Sequence, residues 1–203
     1  MTSILTGDII NSRKISTNVW LPLLTSAFNT IGETPRTWEI YRGDSFQIEI
    51  NTEDALLFAI KLKALLKKTK NLDVRIAIGI GVKNDIYKNI TVGSGEAFIN
   101  SGEAFDVLLK KQNLAFITPW KDFNRLINIS LALALLIMDN WTINSATFAE
   151  KYLNNPKTTQ KVIAKELSIS ESSASERRKR AGLDEILQLE KLYRELIQQK
   201  TQI

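Results

Sequence analysis

Apolar and polar positions repeat at two different periods along this chain, and the change of period divides it. In the first 120 residues, β-leaning runs interleave with stretches of helical spacing. The run TSILTGDI closes on Gly7-Asp8 and predicts a first strand. NVWLPLLTSAFNTIG has apolar residues at helical spacing and predicts a helix, with Gly32 as its stop. RTWEIY and SFQIEI alternate on either side of Arg42-Gly43-Asp44, a hairpin signal. TEDALLFAIKLKALLKKTK opens on Thr52 with acids in its first turn and ends on lysines, the charge order that the helix dipole favours. DVRIAIGIGV then predicts a buried strand, GEAFINSGEAFDVLLKK a helix, and LAFITPW a short last strand.

The predicted order is β-α-β-β-α-β-α-β, whose first six elements form a ferredoxin-like unit. Right-handed crossovers place the first strand beside the third, antiparallel to it. Asp8, at the end of strand one, then lies near the hairpin that carries Asp44. Adjacent strands are about 4.8 Å apart, so the two carboxylates can converge on one cation. Two such charges repel unless compensated, and a divalent ion is one remedy. Bonding of each Asp to turn amides is the other reading of the same residues.

After Pro119-Trp120 the strand signals end and the rest of the chain reads as helical, giving an α+β chain with a domain at 1–120 and a helical domain at 121–203. The stretch LINISLALALLIM, from Leu126 to Met138, is apolar on most faces and fits a buried helix or a dimer contact. It is shorter than the ~20 residues a membrane span needs. Within 158–181, Thr158 or Thr159 caps a helix that runs through Leu167, Ser168-Ile169-Ser170 makes a turn, and a second helix runs from Glu171 to Ala181. Ala164, Leu167, Ile169 and Ala174 stand where a helix-turn-helix needs small or apolar contacts. The second helix opens on Ser170, Ser172 and Ser173 and ends on Arg177, Arg178, Lys179 and Arg180, residue types that reach phosphates and base edges. The remaining segment, LDEILQLEKLYRELIQQ, predicts a supporting or dimerising helix.

Composition narrows the chemistry. The 203 residues contain no cysteine and no histidine. Disulfides, thiolate metal sites, zinc hydrolysis with imidazole ligands and Ser-His-Asp triads are therefore excluded. Catalysis, if present, rests on carboxylates, Lys, Arg, hydroxyls or an oxygen-bound metal. Hydrophobic residues make up 44%, enough for a substantial core, and the net charge of +5 favours an anionic partner. The N-terminus has no basic region followed by an apolar stretch, so no signal peptide is expected.

TGDIINSR, RGDSFQ, RIAIGIG and GEAF, followed by the C-terminal helix-turn-helix, resemble the SatD family of bacterial proteins over nearly the whole chain. That resemblance implies a cytoplasmic protein with a regulatory role. The first half is also similar to the palm of class III nucleotide cyclases and GGDEF-type diguanylate cyclases, in which one metal aspartate ends the first strand and another sits in the central hairpin. Asp8 and Asp44 match those positions. The palm resemblance implies Mg or Mn held by Asp8, Asp44 and the Ile9 carbonyl, and a nucleotide held by Asn11, Ser12, Arg13, Arg42, Gly43 and Gln47. It departs from the cyclases in two places. Asn100 is present, but Gly102, Glu103 and Ala104 stand where an arginine is sought. Ser45 stands where a diguanylate cyclase has Glu. Arg13, Arg42 and Arg75 are the remaining candidates for phosphate contacts, with Asp73 or Glu39 as alternative partners of Arg75.

The leading expectation is a DNA-binding transcriptional regulator whose palm-like half binds a metal and nucleotide or dimerises. Its expected partners are DNA, a nucleotide and a second copy of the chain, with no membrane. A metal-dependent nucleotide cyclase or nucleotidyltransferase using Asp8 and Asp44 is the alternative, although it lacks the helix arginine. A protein-interaction scaffold is the third reading.

Overall fold

The computed structural model describes residues 1–84 and 87–201. Among them are a five-stranded mixed sheet and eight α-helices. The chain runs β1 (Thr2–Ile10), α1 (Thr17–Asn29), β2 (Trp38–Tyr41), β3 (Ser45–Ile50), α2 (Ala55–Lys67), β4 (Asp73–Gly81), α3 (Glu96–Lys111) and β5 (Leu114–Ile117). This is the order read from the apolar pattern. The strands lie in the order β2-β3-β1-β4-β5. β1 is central and antiparallel to both β3 and β4, and β5 joins β4 in parallel. The first strand thus lies beside the third, as the crossover argument requires.

Strand alternation sends successive side chains to opposite faces. Leu5, Ile9, Phe46, Ile48, Val74, Ile76, Ile78 and Phe116 enter the large core with Trp20, Leu24 and Phe28 of α1 and Leu56 and Ile60 of α2. The other face has smaller residues under α3, where Ala77 and Ala115 meet Ala104 and Leu108. Gly79 brings α3 onto the sheet, because a Cβ there would lie 2.1 Å from the Ser101 amide nitrogen.

The helical half comprises α4 (Lys121–Met138), α5 (Ile143–Asn154), α6 (Gln160–Glu166), α7 (Glu171–Arg180) and α8 (Leu183–Thr201). Its apolar residues belong to the same core as the sheet. Tyr193 of α8 is fully buried, packs with its ring tilted against Phe116 and Phe123, and donates its hydroxyl to the Thr52 carbonyl at 2.5 Å. Burial pushes its phenol well above the ordinary tyrosine range. Asn128 of α4 accepts from the Phe116 amide and donates to the Phe116 carbonyl, both at 2.8 Å, which covers the edge of β5. The Leu126–Met138 stretch is divided between two surroundings. Ile127, Leu131, Leu135 and Met138 are buried, while Leu126, Ile129, Leu133 and Leu136 are exposed.

Candidate functional site

Two clusters contain the residues singled out from the sequence. The first lies on the face of the sheet that α3 leaves open. Tyr41 pairs with Ser45, Ser45 with Asp8 and Asp8 with Arg75, so these four residues form one cross-strand row on a shared face. The next row contains Glu39, Gln47, Thr6 and Ala77. Thr6 shares a buried hydrogen bond of 2.9 Å with Ser101 of α3, and Gln47 reaches Thr6 at 3.4 Å. Glu39 accepts from Thr91.

Arg75 binds Asp8 with two parallel hydrogen bonds, Nε to Oδ1 at 2.8 Å and Nη2 to Oδ2 at 2.5 Å. Such bidentate pairs are among the stronger charge-assisted contacts. The bond to Asp8 raises the Arg75 pKa above its ordinary value against partial burial, with further help from the charges of Asp8 and Asp44. Neither Asp73 nor Glu39 is its partner. Asp73 instead meets Lys63 and Lys67.

Asp44 stands in the β2–β3 turn, where its Oδ2 accepts from the Ser12 hydroxyl. The two aspartates therefore have separate partners, Arg75 across the sheet and Ser12 on the loop after β1. Ile9 lies one residue beyond the last β1 position paired with β3, still in register with Val74. Among the described residues no group of three or more acidic side chains converges as a metal site. In this arrangement the donors do not fit a divalent ion, since both Asp8 oxygens are engaged by a guanidinium.

The nucleotide candidates divide among three places. Ser12, Arg13, Arg42 and Gly43 line one small pocket of about 190 Å³, together with Asp44, Thr17 and Trp20. Asn11, Arg42 and Gly43 all adopt left-handed backbone, and Arg42 and Gly43 line the pocket. Asn11 donates to the Asn71 carbonyl at 2.8 Å, and Gln47 belongs to the open sheet face. In α3, Asn100 is tied to the Ile80 carbonyl at 2.7 Å, and Gly102 and Glu103 face solvent. Trp20 was not singled out from the sequence, where it reads as an ordinary core residue of α1.

The second cluster is formed by α5, α6 and α7, which pack on one another. Each helix starts on a side-chain cap: Thr142 accepts from the Ser145 amide, Thr159 from Val162 and Ser170 from Ser173. Between α6 and α7 the chain turns at Ser168, whose φ of 54° is the left-handed conformation that usually selects glycine. Only Ala174 of α7 is buried. Ser172, Ser173, Lys179 and Arg180 are exposed, and Arg177 is half-buried. Ser170 serves as the cap and contacts the Ser172 and Ser173 hydroxyls.

Arg178 has a different surrounding from its neighbours. It pairs with Asp184 at the start of α8 at 2.5 Å and lies over the Tyr152 ring of α5, 4.6 Å from its centroid. The bond from Arg178 holds the Asp184 carboxyl below the usual range against slight burial. Arg178 therefore fastens α7 to α5 and α8. Arg180 is 3.5 Å from Glu176 along the same helix. Among the described residues, Arg177 and Lys179 make no ion pair.

These features define an α+β protein in which a mixed sheet with a polar face shares one core with a helical array. The SatD family model matches residues 3–197, and the chain belongs to the SatD family. No curated protein and no solved structure matches it.

Proposed function

We propose that this SatD-family chain is a DNA-binding transcriptional regulator. In this reading α6 and α7 form the helix-turn-helix, and the α+β half is a ferredoxin-like palm that acts as the ligand-responsive part. The observation that carries the proposal is the exposure of α7. A helix packed through one alanine and two Arg178 contacts presents its other side to solvent, with serines at its first turn and cations at its last. Residues 158–181 contain six Lys and Arg against three Glu, a local excess of three positive charges. Hydroxyls and cations of this kind dock a helix onto phosphates at the edge of a major groove.

The test is fluorescence anisotropy with a labelled duplex across a salt series. Lys179→Glu with Arg180→Glu is expected to weaken binding about tenfold or more at low salt and to lower the salt slope by about 2. Unchanged affinity, or no duplex binding by the wild type at low salt, removes the proposal. Arg178 is not a useful reporter here, because its loss loosens α7 itself.

The same reading supplies a partner for the exposed side of α4. Leu126, Ile129, Leu133 and Leu136 are 47–69% exposed, and Leu192 of α8 continues the patch at 41%. They expose apolar surface on the order of 500 Å², at the upper limit for monomers. A partner contributes about 800 Å² to a standard interface. The occupant we propose is a second copy of the chain, since an isologous two-fold contact covers the same stripe on both copies and pairs two α7 helices for half-sites. Light scattering should give a dimer for the wild type and a monomer for Leu133→Glu with Leu136→Glu. A wild type that is monomeric at all concentrations overturns this.

A further inference from the structure

A cleft opens where three helices meet without closing on one another. α1 and α5 each pack on α2, and beside them lies a cavity of about 430 Å³ lined by all three. Its α2 wall is Phe58, Lys61, Leu62 and Leu65, spaced i, i+3, i+4 and i+7 on one helical face. Leu23, Ser26, Ala27 and Thr30 follow the same spacing along α1 and its C-terminal cap. Glu150 and Asn154 of α5 form the third side. A second cavity of about 400 Å³ shares Thr30, Phe58 and Lys61 with the first, so the two adjoin at these residues. The size is that of a small-molecule site, ~300–1,000 Å³, and such sites favour domain junctions and gaps between helices.

The chemistry of the walls limits the ligand. Lys61 interrupts an otherwise apolar stripe; it is half-buried and, among the described residues, makes no hydrogen bond and no ion pair. The lysines that follow it all have partners. Lys63 and Lys67 hold Asp73, and Lys68 holds Glu150 at 3.0 Å. The carboxylates of the two cavities are likewise engaged, Glu49 by Lys83, Asp54 by Arg194 and Glu150 by Lys68. One positive charge is left over, next to the apolar side chains of Leu23, Ala27, Phe58, Leu62 and Leu65. The apolar walls suit a hydrocarbon body, and the single lysine suits a head group with one negative charge. A carboxylate meets that balance, whereas a phosphate monoester carries about −1.5 to −2 charges and would leave part of its charge unmatched.

We propose that the cleft between α1, α2 and α5 binds an amphipathic carboxylic acid, its hydrocarbon body against Leu23, Phe58, Leu62 and Leu65 and its carboxylate on Lys61. An occupant touches both halves of the chain, since α5 is the helix whose Tyr152 lies beneath Arg178 of α7. The site thereby supplies a ligand class for the ligand-responsive part of the preceding reading. Only that regulatory role rests on the reading; binding is tested without DNA, so the two fail separately.

The probe is octanoate, titrated into the full-length protein by isothermal titration calorimetry, with octanol as the uncharged control. Octanoate should bind saturably and more tightly than octanol. Lys61→Met keeps an apolar stem and breaks no ion pair. It should raise the octanoate Kd about tenfold or more through loss of a charge-assisted hydrogen bond, and leave octanol binding unchanged. Ser26→Trp, at an exposed position on the α1 wall, should abolish binding of both by filling the cleft. Leu133→Glu with Leu136→Glu should leave octanoate binding intact, because the apolar stripe of α4 lies outside the cleft. No saturable binding, an octanoate Kd that Lys61→Met or Ser26→Trp leaves unchanged, octanol binding as tight as octanoate, or binding lost in the α4 variant overturns the proposal.

Discussion

Gly79→Ala should destabilise the protein by about 2–3 kcal/mol or more, the largest loss expected from adding a single methyl group. A Cβ at Gly79 would stand 2.1 Å from the Ser101 nitrogen, 2.3 Å from the Ala97 oxygen and 2.7 Å from the Ser101 Cα. All three are backbone atoms of α3, so no side-chain rotation relieves the overlap and the helix itself must move. Overpacking in a tight core costs about 1–3 kcal/mol even where side chains can yield. Movement of α3 would also disturb the buried Thr6–Ser101 hydrogen bond. The opposing gain from replacing glycine within a strand is about 0.5–1 kcal/mol and does not offset this. Gly102→Ala supplies the opposite sign in the same helix. Nothing lies within 4 Å of its added Cβ, so a gain of about 0.5–1 kcal/mol is expected from helix propensity alone. Urea denaturation of the two variants beside the wild type measures both. Equal midpoints for the two would contradict the close approach of α3 to β4.

The two glycines show which level of structure the sequence exposes. Strand and helix order were legible because each element carries its own period and its own caps. The turn between α6 and α7 was legible too, since Thr159, Ser170, Ala164 and Ala174 signal locally. What was not legible depends on register. Asp8 and Arg75 are 67 residues apart and meet only because β1 and β4 align them in one row. From sequence, the aspartate read either as a metal ligand or as a turn residue, and the arginine either as a phosphate contact or as a partner of Asp73 or Glu39. Arg178 likewise looked like one more member of a basic run. Its role as a fastener depends on Tyr152 arriving from α5 beneath it. Leu126–Met138 looked apolar on most faces because its exposed and buried sides contain the same residue types, and only packing separates them.

Lys63 illustrates the same limit and gives the second large effect. In the sequence it belongs to the lysine-rich end of a helix, where a cation favours the dipole and faces water. In the fold it is 3% exposed and lies between two carboxylates, 2.8 Å from Asp73 and 2.6 Å from Asp139. Lys67 joins them, 3.1 Å from Asp73 and donating to the Asp139 carbonyl at 2.6 Å. The network connects α2 and the start of β4 to the C-terminal end of α4, and so ties the sheet to the helical half. Lys63→Met should cost up to about 3 kcal/mol, the lower end for breaking a buried ion pair, because Asp73 keeps Lys67 and Asp139 is partly exposed. That is a large share of the ~5–15 kcal/mol typical of folded proteins. Adding Asp139→Asn to Lys63→Met should cost less than the sum of the two single changes, since the first change already removes the ion pair that the second would break. Because the core is continuous across both halves, the loss should appear as one earlier unfolding transition seen alike by far-ultraviolet circular dichroism and tryptophan fluorescence. Two separated transitions, with residues 121–203 unfolding first, would instead mean that the halves are stabilised independently and that the Lys63 network only joins them.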